Sequence, residues 1–177
     1  MKLVPATAAN LPAMASAHAQ AFDRPWDEAA FAELLTGPGG YGFVALGEDP
    51  LGVVLCRAMG GEAEVLTLAV PPWTRRKGVA LALMTAAMGA ARALGAKVMF
   101  LEVDVDNDAA VGLYERLGFT RAGLRKAYYD RGAEPRADAL VMRLDLTSAS
   151  LRPIIWEQER TPCRTASKSS ASRRICG

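Results

Sequence analysis

The run LAVPPWTRRKGVALALMTAAMGAARALGAKVMFLEVDVDNDAAVGLYERLGF, residues 68–119, decides the fold. Pro71-Pro72 stops the strand-like run 64–70, because proline supplies no N–H to a ladder. After Gly78, apolar residues fall at 80, 83, 84, 87, 88, 91 and 94, the spacing of one helical face, and Gly95 ends that helix. Residues 97–103 then read as a strand. Val98, Met99, Phe100 and Leu101 are consecutive and apolar, which predicts cover on both faces. Asn107 can cap a short helix that finishes at Leu117-Gly118. A strand, a basic turn, a helix, a covered strand and a capped helix, in that order, point to an α/β architecture.

On the amino-terminal side, residues 2–6 predict an opening strand. Thr7 or Asn10 can cap a helix running through Met14 to Phe22. Pro25-Trp26 breaks the chain, and Asp27 caps a second helix through Phe31, Leu34 and Leu35, closed by Gly37-Pro38-Gly39-Gly40. Runs 41–46, 52–58 and 64–70 are strands joined by short turns, so they should pair antiparallel. On the other side, 119–129 and 137–146 are two strands separated by the polar segment 130–136. The expectation is one α/β sandwich over 1–147, with a mixed, mostly antiparallel central sheet flanked by helices. Residues 148–177 lose all periodicity and are expected to form a basic, flexible tail carrying one apolar patch, Ile154-Ile155-Trp156.

The 177 residues carry 21 Lys+Arg and 19 Asp+Glu, with 51% hydrophobic and 23% charged, a balance that excludes a disordered chain. No apolar run approaches the ~18 residues of a membrane span. The opening Met-Lys-Leu-Val-Pro-Ala-Thr lacks the apolar core of a secretory signal, so a cytoplasmic protein is expected. Three cysteines (Cys56, Cys163, Cys176) and the single His18 build neither a conventional zinc site nor a disulfide framework, and no metal is expected. From Ser150 onward there are six basic and two acidic residues; residues 1–149 hold 15 and 17. A mildly acidic body argues against nucleic-acid binding. Composition leaves the oligomeric state open, with a monomer expected.

Three places can carry chemistry. Arg75-Arg76-Lys77-Gly78-Val79-Ala80 puts three cations beside a helix start, where unpaired N–H groups favour a polyphosphate. The same residues also read as a basic surface turn. Glu102 is a carboxylate near the end of an apolar strand, and burial without a cation would move it toward general-base work. It also reads as a strand-end carboxylate reaching water. Tyr114 lies two turns beyond Asn107 on one helix face and can donate a proton at neutral pH. It also reads as a core aromatic. His18 reads as a surface or edge residue of an alanine-rich helix, Cys56 as a small core residue, and Met84 and Met88 as apolar-face residues.

The order of these parts resembles the GNAT acetyltransferases, and among them the RimI-type ribosomal-protein-alanine N-acetyltransferases. Residues 68–119 carry most of the likeness, with L-R-K-A-Y-Y-D at 124–130, A-D-A-L-V-M at 137–142 and the Pro25-Trp26 pair adding to it. It covers about residues 1–146. The resemblance implies acetyl-CoA as cosubstrate, with Leu68, Ala69 and Val70 meeting its acetyl and pantetheine part. Arg75, Arg76, Lys77, Gly78, Val79 and Ala80 would hold its pyrophosphate, and Asn107 would touch its pantetheine arm. It implies Glu102 as general base, Tyr114 as general acid, and Trp26, Tyr128 and Tyr129 along an acceptor groove. The implied acceptor is a protein amino terminus, Ala, of a ribosomal small-subunit protein. Lysines, other amino termini and small amines remain open as acceptors, and a non-catalytic acetyl-CoA-binding module remains open as another class. Pro71, Trp73-Thr74, Arg75 and Ala80 depart from the family pattern at the edge of the cofactor site.

Overall fold

The computed structural model describes residues 1–129 and 137–148, with side chains for 1–126 and 138–148. The expected tail beyond Ser148 and the segment 130–136 lie outside the described residues.

The chain runs β1 (Lys2–Pro5), α1 (Leu11–Ala19), α2 (Glu28–Thr36), β2 (Gly40–Leu46), β3 (Pro50–Met59), β4 (Glu62–Ala69), α3 (Val79–Ala93), β5 (Val98–Asp104), α4 (Asp108–Arg116), β6 (Thr120–Tyr129) and β7 (Ala137–Asp145). The strands form one seven-stranded sheet in the order β1-β2-β3-β4-β5-β7-β6. Every neighbouring pair is antiparallel except β4 and β5, which are parallel. The expected mixed, mostly antiparallel sheet is therefore present.

Side-chain alternation divides the core between the two faces of the sheet. Val54 and Cys56 of β3 pack with Leu83, Met84 and Ala87 of α3, and with Leu101 and Val103 of β5. Val53 and Leu55 pack with Met14 and Ala17 of α1 and Phe31 of α2. Helix α3 buries Val79, Leu83, Met84, Ala87, Met88 and Ala91, the predicted stripe. Leu94, expected on that stripe, is the C-cap residue and is exposed, since the helix ends before its side chain can reach the sheet.

The first helix differs from the reading. Neither Thr7 nor Asn10 caps it with a side chain; Asn10 Oδ1 accepts from the Thr7 N–H at 2.8 Å, within a preceding 3-10 turn, Ala8–Asn10. It stops at Ala19 rather than Phe22, because the Ala21 and Phe22 N–H groups both turn back to the His18 carbonyl, at 3.0 Å each. Asp27 caps α2 as expected, accepting from the Ala30 N–H at 2.9 Å.

Gly52 sets how closely α3 lies on β3. A Cβ there would come 2.9 Å from the Ala69 carbonyl oxygen and 3.1 Å from the side chains of Leu83 and Val79. Gly52→Val should lower stability by roughly 1–3 kcal/mol through overpacking, read as a fall in urea midpoint. An unchanged midpoint would show that α3 does not press on this strand.

Candidate active site

The sheet opens at its only parallel pair. β4 and β5 are in register at Glu62 and Val98, Ala63 and Met99, and Glu64 and Phe100, and their ladder stops there. Just beyond, Leu66 is a bulge against β3, since Leu55 pairs with Thr67 while Cys56 pairs with Val65. A bulge bends the strand that carries it and raises its twist. Thr67 therefore lies two ladder steps past Glu64, and Glu102 lies two residues past Phe100. The two stand level across the gap, and alternation sends both side chains to the face that carries α1 and α2.

The parallel strands end on the same side of the sheet, so the turn after β4 and the turn after β5 are neighbours. In open α/β sheets such strand ends are where ligands bind. The turn after β4 is a short 3-10 helix, Pro72–Thr74, which the sequence reading did not include. Thr74 is buried, and its hydroxyl donates toward the Leu51 carbonyl at 2.9 Å, fixing the turn to β3. Arg75 Nε donates to the Val70 carbonyl at 3.2 Å. Arg76 (φ 62°) and Gly78 (φ 80°) are both left-handed, and Gly78 caps α3 without a side chain. The first N–H groups of α3 thus face outward with no side-chain cap, between exposed Arg75, Arg76, Lys77 and the helix's positive end. For arginine the left-handed region is costly, and such strain gathers at functional turns. This backbone and these cations fit a phosphorylated ligand, and Gly78 leaves room for it: a Cβ there would meet nothing within 4 Å.

Glu102 lies on the β5 side of the gap. Its side chain is 19% exposed, and Arg125 of β6 donates from Nε to Oε1 at 3.0 Å. The sequence reading supplied no cation here; the correction is an ion pair formed across β7, which lies between β5 and β6. Both residues line a depression of about 430 Å³, with Arg57, Met59, Glu64 and Phe100. Arg57 and Glu64 are themselves paired, at 2.8 Å.

Tyr114 is on the other face. It is buried among the residues of α3 and β5, with its ring 5.8 Å from Phe119, edge to face. It does not line the depression. Asn107 caps α4, its Oδ1 accepting from the Ala110 N–H at 3.1 Å. Leu68, Ala69 and Val70 end the β4 side of the gap, so the turn 75–80, residues 68–70 and Asn107 gather at one end of the sheet. Tyr128 and Tyr129 belong to the backbone of β6; their side chains lie outside the described residues.

His18 is where the reading fails most clearly. It is 3% exposed, because with Met14 and Ala17 it forms the buried side of α1. Its Nδ1 accepts from the Trp26 N–H at 3.1 Å, and its Nε2 lies 3.1 Å from Thr67 Oγ1. An accepting Nδ1 places the single proton of the neutral ring on Nε2, which donates to Thr67. Phe22 and Trp26 stack on the ring at 4.4 and 5.2 Å, and Phe31 meets it edge-on at 5.4 Å. Three aromatic residues within 13 positions after the chain's only histidine were the signal available in the sequence. Trp26 itself is half-buried, in the segment between α1 and α2. Cys56 is buried as read, and burial pushes its thiol up to about 12, far from nucleophilic use.

A sheet parted between two parallel strands, with a cationic helix start at one end and an ion-paired carboxylate beside the gap, is the layout of a binding site for a phosphorylated ligand with an acid–base group beside it. The profile of the Acetyltransferase (GNAT) family matches residues 11–119, and the chain belongs to that family. It is 36% identical over 146 residues to the N-alpha-acetyltransferase RimI of Mycobacterium tuberculosis, covering 78% of this chain and 89% of that one. It is 36% identical over 86 residues to the Escherichia coli ribosomal protein bS18-alanine N-acetyltransferase, covering 49% of this chain and 57% of that one. The crystal structure of the Escherichia coli ribosomal-protein-S18-alanine N-acetyltransferase superposes with a TM-score of 0.73 at 28% identity, over 84% of this chain and 95% of that chain. The protein is an N-acetyltransferase of RimI-like type.

Burial pushes the His18 imidazole down from 6.5 to about 4. Between those values the unfolded chain binds a proton that the folded chain refuses. Stability from this group is therefore complete above pH 6.5 and is lost as pH falls toward 4, at no more than about 1.4 kcal/mol per pH unit. Urea midpoints measured from pH 7 to pH 4 should fall less steeply in His18→Gln than in the parent. Parallel curves would remove His18 from the acid response.

Proposed function

We propose that this chain transfers an acetyl group from acetyl-CoA to the amino-terminal Ala of a ribosomal small-subunit protein. The observation that carries the reading is Glu102: a carboxylate held by Arg125 beside the β4–β5 gap, on the face where an amine can arrive. Family membership supports acetyl-CoA as the donor, and the likeness in sequence and in structure to the Escherichia coli enzyme named for bS18 alanine supports the acceptor. Acetyl-CoA supplies an acetyl group on a thioester. Arg75 to Ala80 hold its phosphates, with the α3 N–H groups and the three cations balancing charge. Backbone N–H groups near Leu68, Ala69 and Val70 polarise the carbonyl that is attacked. Asn107 borders the arm of the donor at the start of α4.

The attacking nitrogen must be neutral. An α-amino group of pKa ~7.8 is ~14% neutral at pH 7, whereas a lysine of ~10.4 is ~0.04% neutral. One carboxylate base suits the former. Glu102, oriented by Arg125, takes the proton from the amine. Tyr114 approaches from the α3–α4 face and gives its phenolic proton to the departing sulfur. The two proton carriers thus work from opposite faces of the gap. Trp26, Tyr128 and Tyr129 border the acceptor, and Glu62 lends the rim negative charge that suits a basic protein.

An Ala-initiated peptide should be acetylated, while the same peptide with a blocked amino terminus and a free lysine should not. Product from the blocked peptide alone would make this a lysine enzyme. Glu102→Gln should lower kcat about 10²–10⁴-fold, and most at low pH, where the least amine is neutral; a pH profile overlying the parent's would remove the base. Tyr114→Phe should lower kcat on a similar scale while acetyl-CoA affinity by calorimetry stays within twofold. Full turnover in that variant would remove the acid.

A further inference from the structure

Both nitrogens of His18 make hydrogen bonds within the fold. What it joins is more informative. Nδ1 holds the backbone of Trp26, in the segment between α1 and α2. Nε2 holds Thr67 of β4, immediately past the bulge and level with Glu102 across the gap. One neutral imidazole therefore ties the α1–α2 segment to the lip of the opening at which Glu102 stands. Phe22, Trp26 and Phe31 enclose it on the segment's side. The same segment has a second anchor from the donor side, where Trp73 Nε1 donates to Gln20 Oε1 at 2.8 Å.

The tie needs the neutral ring. The Trp26 N–H requires a lone pair on Nδ1, and the Thr67 contact requires the proton on Nε2 if that nitrogen is to donate. An aliphatic side chain of similar size would fill the space and leave the Trp26 N–H without this acceptor. The segment would then lose its fixed distance from β4 while the sheet, α3 and the donor turn kept theirs.

We propose that His18 is a positioning residue for the acceptor: it pins the α1–α2 segment to Thr67, making Trp26 a fixed wall of the place where the acceptor's amino terminus meets Glu102. This rests on the reading of the Glu102 face as the acceptor end. Affinity for the acceptor depends on the wall being ordered beforehand, because ordering it on binding would cost conformational entropy. The donor, held at 75–80, does not use this wall.

The test compares His18→Leu, His18→Asn and Thr67→Val in the full chain, using the Ala-initiated peptide and acetyl-CoA as substrates. Asparagine can present an acceptor near the Nδ1 position, so it is the rescuing variant. His18→Leu should raise KM for the peptide about tenfold while KM for acetyl-CoA changes less than twofold. His18→Asn should recover most of that loss, and Thr67→Val should raise peptide KM about threefold. Amide hydrogen exchange over residues 20–27 should quicken in His18→Leu and Thr67→Val, with exchange in β5 and α3 unchanged. Peptide KM at the parent's value in a folded His18→Leu, or equal rises for both substrates, would overturn the proposal. Should His18→Leu fail to fold, Thr67→Val decides, since it keeps the ring and its packing. If the parent protein does not acetylate the peptide, the acceptor reading has failed independently; the anchor is then judged by exchange over 20–27, and unchanged rates in Thr67→Val overturn it.

Discussion

The site exists because a sheet stops pairing. Parallel strands β4 and β5 share three register positions and then part, and the bulge at Leu66 bends β4 where the parting begins. Backbone groups that a continuous sheet would have spent on a ladder are left facing the opening. Had β4 continued straight along β5 without the bulge, Leu66 would pair beside Glu102, and the two faces of the sheet would be sealed from each other. The structure gives up sheet hydrogen bonds over a few residues and gains a passage through an otherwise closed layer.

The two faces of that passage differ in character, and the difference follows from which helices cover them. On the α3–α4 face the walls are apolar and packed, with Tyr114 among Leu101, Val103 and α3 side chains. On the α1–α2 face the walls are charged and partly open, with Glu102–Arg125 and Arg57–Glu64 pairs around the depression. The proposed function puts the donor's thioester on the first and the amine arriving from water on the second. The turn after β4 closes the remaining end: Thr74 anchors it to β3, and left-handed Arg76 and Gly78 aim it toward an anion. Trp73 then joins this turn to Gln20, so donor side and acceptor side share one exposed contact.

Most of the framework was legible because it is local. The α3 stripe, the apolar run of β5, the Asn107 cap and the proline stop after β4 are patterns within one turn or one strand. What sequence could not supply depends on pairing between distant segments. Glu102 and Arg125 are 23 residues apart and meet only because β7 lies between β5 and β6. The bulge at Leu66 is a register shift against β3, visible only once both strands are laid side by side. His18 looked peripheral because α1 is short and alanine-rich, with little contrast between its faces. Its burial follows from α1 lying on β3 and β4, where Thr67 offers the ring a partner. Tyr114 lies on a helix whose packing side only the assembled sheet defines. The alternation of β5 turns Glu102 to the opposite face from the one on which Tyr114 packs with Leu101 and Val103.

On the proposed function, the parting of β4 from β5 is the reaction channel. A crystal structure of the protein with a conjugate joining coenzyme A through its sulfur to the nitrogen of an alanine-initiated peptide tests it directly. The sulfur should lie within the β4–β5 gap, the phosphates against residues 75–80, the nitrogen on the Glu102 side and the Tyr114 hydroxyl within hydrogen-bond reach of the sulfur. A conjugate whose sulfur lies outside the gap, or whose peptide leaves by the face carrying α3, would contradict it.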